Sequence, residues 1–333
     1  MIEDQYISRH LLSENSVASL PLPVTRQFKV RRQIGSLLAA CFTVDDPIDE
    51  LLNVLDLSER DDEGFVGLGS GHSQYGLFGG HLVAQSIVAA YRSVDPDRRL
   101  HSVHALFLRG GDGIQTIDYD VEPLRDGRTF CQRRVTGSQN HKTIIDLTAS
   151  FQTPETGSGE ISPSTPQHLE LPENLPTFEE CMAEVGPIFG EEWSEGRRSV
   201  EYRIEHAPWS PAGPSKTGGI NFWFRTRRPL GDHAEIHAAT LAYMSDDCVA
   251  DTVLVPYGRT WGSEGTMLVS LDHAMWFHTE ARADEWVYVE QWPVEASGAR
   301  GLAESRMWQD DRLVASIAQA ALTRCCPFLR TRR

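Results

Sequence analysis

The tetrapeptide His104-Ala105-Leu106-Phe107 is answered by His273-Ala274-Met275-Trp276, 169 residues further along the chain. Each copy follows a helical segment, "GGHLVAQSIVAAYRSV" (79–94) before the first and "AEIHAATLAYMSDDCVA" (234–250) before the second. Each is also followed by strand-like runs with short turns. A second pair of markers, Thr148-Ala149-Ser150 and Val314-Ala315-Ser316, falls in the same order. A repeat this long is a duplicated domain, because solenoid units recur every 20 to 50 residues or so. The chain must therefore fold as one helix-plus-sheet unit built twice.

The first helix is apolar on most of its circumference, with Leu82, Val83, Ile87 and Ala90, which predicts burial on all sides. The runs "HSVHALFLR", "IQTIDYDVEPLRDG" and "TFCQRRVTGSQNHKTIIDLTASFQ" read as antiparallel strands, the last bending at 137–142. In the second half Ile236, Thr240, Tyr243 and Met244 share one helix face. "VEYRIEH", "INFWFRTR", "TMLVSLDHAMWFH", "EWVYVEQWPVEA", "RGLAESRMWQD" and "RLVASIAQAALTR" read as strands. Between the halves, residues 153–197 are rich in Pro, Ser, Thr and acid and break every periodicity. The expected organisation is an N-terminal arm (1–45), a first domain (46–152), a linker (153–197) and a second domain (198–333). The expected class is α+β, each domain an antiparallel sheet wrapped around a long buried helix.

A formal net charge of −16 argues against nucleic acid as a partner, since binding it needs a basic surface. No run approaches the 18 apolar residues of a membrane helix, so no membrane partner is expected. The six cysteines form no C-x-x-C pair, and neither half has a spaced His/Asp pattern; no metal and no cofactor are expected. The apolar run Ile34–Ala40 before Cys41 is short for an export signal, which favours a cytoplasmic protein.

Several motifs in order, "FGGHLVAQSIVAA", "HSVHALFLRGGD", "VEPLRDGRTFCQRRV", "LTASFQ", "YMSDD", "SLDHAMWFH", "EASGARG" and "VASIAQ", are similar to those of the acyl-CoA thioesterase II family. The resemblance runs from about residue 46 to the C-terminus. It implies two tandem hot-dog domains and hydrolysis of fatty acyl-CoA to fatty acid and CoA without a covalent intermediate. It also implies a homodimer or higher homo-oligomer. Carried over by position, the family's water-activating set becomes Asp246, Ser270 and Gln319. Ser270 stands where the family often has threonine, and His81 where it usually has glutamine after the paired glycines.

On their own chemistry these residues leave alternatives open. Asp246 is either a buried base or the end of a helix, and Asp247 beside it leaves the register uncertain by one. Strict alternation puts Ser270 with Asp272, Ala274 and Trp276 on one strand face, and His273 with Met275 on the other. Gln319 in an apolar series is either a specific donor–acceptor or a paired core amide. Gly79 and Gly80 either offer helix N-terminal amides to an oxyanion or permit close packing, and with His81 they form the candidate substrate-binding set. His104 and His273 are expected to be structural counterparts. Aligning them sets His101 opposite Ser270 and Val103 opposite Asp272; aligning the second markers sets Thr153 opposite Gln319. The first half then lacks the hydroxyl and the amide, which predicts one active site per chain. Two other functions remain open: a non-hydrolytic acyl-thioester-binding or regulatory protein, and an enoyl-thioester hydratase using Asp272 and His273.

Overall fold

The computed structural model describes residues 47–70, 76–157, 161–166, 169–185 and 199–325. The expected N-terminal arm, Cys41 and Cys326 lie outside the described residues. The first half contains α1 (Pro47–Leu55), β1 (Ser58–Glu59), β2 (Phe65–Gly67), α2 (Gly79–Tyr91), β3 (Arg99–Phe107), β4 (Ile117–Asp126), β5 (Phe130–Gln139) and β6 (Lys142–Gln152). A single 3-10 turn (Pro172–Asn174) and α3 (Phe178–Val185) lead into the second half. There follow β7 (Val200–His206), β8 (Asn221–Thr226), α4 (Ala234–Ser245), a 3-10 segment (Ala250–Tyr257), β9 (Thr266–Ser270), β10 (Asp272–Phe277), β11 (Val287–Ser297), β12 (Arg300–Gln309) and β13 (Arg312–Cys325).

Among the described residues, thirteen strands form one antiparallel sheet. Its order, β1-β2-β4-β5-β6-β3-β10-β13-β12-β11-β8-β7 with β9 also on β13, reads alike from both ends. The two halves join where β3 pairs with β10, with His104 opposite Ala274 and Val103 opposite Met275. Each half curls around its own helix, giving two tandem hot-dog domains, and α2 packs directly on α4. Eleven consecutive residues of α2, Gly80 to Ala90, are buried. That is the outcome expected of a helix apolar all round, which no solvated face would stabilise.

The repeat is offset by 170 residues, one more than the His-Ala match indicates. Gln139 and Gln309 end equivalent strands and each caps the loop before the preceding strand, Gln139 on Asp112 and Gln309 on Arg282. Asn140-His141 and Asp310-Asp311 form equivalent hairpin turns with positive φ. Bulges also recur in register, after Pro123 and after Pro293. The counterpart of His273 is therefore Val103. His104 lies on the opposite, exposed face, edge-on to the Trp276 ring at 5.3 Å. A buried position tolerates a change of side chain more readily than a change of sheet face, so burial rather than letter identity preserves the register.

Two further expectations are altered. Residues 178–185, expected within the linker, form α3, whose Phe178, Cys181 and Met182 are buried. Phe178 packs edge-on to Trp209 with ring centroids 5.2 Å apart. The helix expected over 234–250 stops at Ser245 with Asp246 as its C-cap, and Cys248 takes a left-handed conformation (φ 63°).

Candidate active site

The helix termini converge. The N-terminus of α2 meets the C-terminus of α4, with Phe78 edge-on to Tyr243 at 5.0 Å. Close approach requires glycine: a Cβ on Gly80 would collide with the Tyr243 carbonyl oxygen, and one on Gly79 would lie 2.6 Å from Asp246 Oδ2. The Asp246 carboxylate thus sits at the unfavourable end of its own helix and the favourable end of the neighbouring one. The Gly80 N–H donates to Asp246 Oδ2 at 2.8 Å. The amide expected to face an oxyanion is therefore committed to the carboxylate. Gly79, the first residue of α2, has no hydrogen-bond partner for its N–H among the described residues.

From the sheet, Gln319 Nε2 donates to Asp246 Oδ1 at 2.7 Å and to Ser270 Oγ at 2.9 Å. Both amide hydrogens are used, so Ser270 is an acceptor in this contact and its own proton remains to be given elsewhere. The remaining amide oxygen, Oε1, meets His273 Nδ1. Because the ionised Asp246 needs the N–H side of the amide, the imidazole proton belongs on Nδ1. His273 Nε2 then accepts from Ser245 Oγ at 2.8 Å. Burial lowers the pKa of His273 to about 4, so the ring is neutral near pH 7. Both ring nitrogens are thus engaged, one by Gln319 and one by Ser245.

Burial also raises the pKa of Asp246 to about 7, outweighing the hydrogen bonds from Gln319 and Gly80 that oppose the shift. Asp247 points away and accepts from Tyr202 Oη, while Gln291 Nε2 donates to its backbone carbonyl at 2.8 Å. His81 is buried, with Nε2 2.9 Å from the Leu68 carbonyl oxygen, and is not brought to the carboxylate.

Strict alternation would keep Ser270 and His273 on opposite faces, yet both reach Gln319. The cause is a bulge at Leu271: Ser270 pairs with Ala321, but Ala274 pairs with Ala318, one residue out of step. The extra residue turns Ser270 inward. Asp272 Oδ1 accepts from the Ala320 N–H at 2.9 Å, satisfying a backbone group at the bulge. The first half has the same bulge at His101, between the Leu100–Phe151 and Ser102–Ser150 pairs. There the counterparts of Ser270, His273 and Gln319 are Leu100, Val103 and Ala149, all buried and apolar. The expected partners His101, Val103 and Thr153 are each displaced, but the first copy still lacks the hydroxyl and the amide. Sequence reasoning missed the contacts of His273 and Ser245; the signal, a histidine in one copy opposite Val103 in the other, appears only at the 170-residue offset.

Residues 69–152 match the acyl-CoA thioesterase N-terminal domain, and residues 172–323 match the acyl-CoA thioesterase C-terminal domain. The chain is 33% identical to human acyl-coenzyme A thioesterase 8 over 291 residues, 82% of this chain and 88% of that protein. It is 32% identical to acyl-CoA thioesterase 2 of Haemophilus influenzae, covering 84% of this chain and 99% of that one. Among solved structures, acyl-CoA thioesterase II TesB2 from Mycobacterium marinum superposes with a TM-score of 0.67 at 33% identity, covering 85% of this chain and 99% of that one. A hot-dog protein from Alicyclobacillus acidocaldarius, 18% identical, has a TM-score of 0.65 over 82% of this chain and 97% of its own length, a likeness of fold alone. With its fold, its duplicated halves and both domain matches in agreement, the chain belongs to the acyl-CoA thioesterase II family.

Proposed function

We propose that this protein hydrolyses fatty acyl-CoA to fatty acid and CoA by direct attack of water, at one site per chain. One observation carries the reading: a single amide, Gln319, holds the Asp246 carboxylate and the Ser270 hydroxyl side by side. A water accepting from Ser270 and donating to Asp246 is oriented as a nucleophile, and the carboxylate takes its proton as it attacks the thioester carbonyl. The tetrahedral oxyanion gains the Gly79 N–H at the positive end of α2. Collapse breaks the C–S bond, and the proton on Asp246 passes to the leaving thiolate, giving CoA thiol and free acid. Ser270 is not the nucleophile in this reading, because its hydrogen-bond partner is an amide donor and not a base. His81 acts from behind, tying the first turn of α2 to the Leu68 carbonyl. A hydratase dyad of Asp272 and His273 is disfavoured, since the former is spent on the Ala320 N–H and the latter on Gln319 and Ser245.

The test is CoA thiol release from saturated acyl-CoAs of increasing length as a function of pH. Asp246 works ionised, so kcat/KM should climb about tenfold per pH unit below about 7 and level off above it. Acyl-CoA binding without thiol release would replace the hydrolase with a binding protein. Ser270→Ala should lower kcat/KM by about tenfold to a hundredfold, the equivalent of one or two lost hydrogen bonds. Ser270→Thr, which keeps the hydroxyl, should stay within about threefold of the original chain. Equal losses in both variants would point to packing instead.

A further inference from the structure

The internal two-fold that builds the active site must build its counterpart at the other end of the helix pair. A cavity of about 990 Å³ lies there, at the top of the roughly 300–1,000 Å³ range of small-molecule sites. The N-terminal turn of α4 and the C-terminal end of α2 border it, as the N-terminus of α2 and the C-terminus of α4 border the first site. Phe277 lines it where its counterpart Phe107 flanks Gly79. Leu100 lines it where its counterpart Ser270 accepts from Gln319. The two sites share a frame, but the Ser270, His273 and Gln319 network has been replaced by Leu100, Val103 and Ala149.

We propose that this second cavity is a binding site for the aliphatic chain of a fatty acid, the product class of the first site. The proposal rests on the hydrolase reading for the identity of that class. Tyr91, Leu100, Leu241 and Phe277, with Ala238 between them, give the wall its apolar character. The charges lining the cavity decide the head group. Arg99 is paired with Glu280, and Arg282 with Asp232 and Glu285. Glu155 and Asp310 add further negative charge. Such a lining repels a polyanionic nucleotide thioester several times more strongly than a single carboxylate, which one unpaired cation suffices to hold. Arg312 supplies it: its guanidinium contacts the Thr279 hydroxyl at 3.4 Å and has no carboxylate partner among the described residues.

Equilibrium binding of dodecanoate to the full chain tests this, alongside Ala238→Trp, which fills the cavity from α4, and Arg312→Glu, which reverses the free charge. Ala238→Trp should bind one equivalent of dodecanoate fewer per chain than the original, while kcat and KM for dodecanoyl-CoA stay within about twofold. Arg312→Glu should weaken that same equivalent about tenfold or more. Identical stoichiometry in the original and in Ala238→Trp overturns the proposal. If Ala238→Trp loses hydrolysis, Ala281→Trp fills the cavity from outside the helix and carries the same comparison. Failure of the hydrolase reading would appear separately, as no thiol release from the original chain, and leaves the count of bound dodecanoate unaffected.

Discussion

Asp246→Asn is expected to lower kcat by about a thousandfold, within the range for a lost general base, while Asp247→Asn stays within a few-fold. The amide that replaces the Asp246 carboxylate can still accept from the Gly80 N–H, and Gln319 can rotate to receive its NH₂, so the packing survives without the base. Stability should move the other way. The folded chain holds Asp246 with a pKa raised to about 7 by burial, so folding favours the protonated form. That preference is fully present below the ordinary carboxylate pKa near 4 and is lost as the pH rises through 7. By pH 8 the ionised group costs on the order of a few kcal/mol, a burden that a neutral amide does not carry. Thermal melts at pH 8 should place Asp246→Asn at or above the original chain, with the gap closing at pH 5. Full activity in this variant, or activity lost only in Asp247→Asn, would move the site to the neighbouring carboxylate.

Gly80→Ala is the structural counterpart of that experiment. The added methyl meets the Tyr243 carbonyl oxygen, which is backbone of a buried helix and has no rotamer by which to yield. Overpacking of this kind costs about 1–3 kcal/mol and separates α2 from α4. The same displacement carries the Gly80 N–H away from Asp246, so the carboxylate loses a donor that favours its charged form. A fall of several degrees in Tm is expected, together with a rise in the pH at which kcat/KM levels off. The shift of the pH profile is the discriminating readout, because simple destabilisation would leave it in place. Gly80→Ala with the original Tm and profile would show that the two helices do not need this contact.

Much of the architecture was legible in local pattern. The apolar circumference of "GGHLVAQSIVAA" announced a helix enclosed on all sides, and the strands followed from alternation and turn residues. The duplication was legible as well, though its register was misread by one residue, because His104 and His273 match as letters on opposite sheet faces. The linker was read as featureless because Phe178, Cys181 and Met182 show their purpose only against Tyr202 and Trp209. Alternation also failed at Ser270, since a bulge leaves no mark in the residues on either side of it.

Asp246, Ser270 and Gln319 were nameable because the motifs around them resemble those of the family; on its own chemistry each residue left a structural alternative open. The sequence by itself also predicted that the first copy lacks the hydroxyl and the amide, though it set the wrong residues opposite them. Only the tertiary structure decided which partners they take: Gly80 for Asp246, His273 and Ser245 behind Gln319, and Tyr202 for the neighbouring Asp247. Those contacts join residues up to 166 positions apart. Local periodicity reports which face a side chain occupies; its hydrogen-bond partner is fixed by how two helices cross and where a strand bulges, which are properties of the assembled sheet.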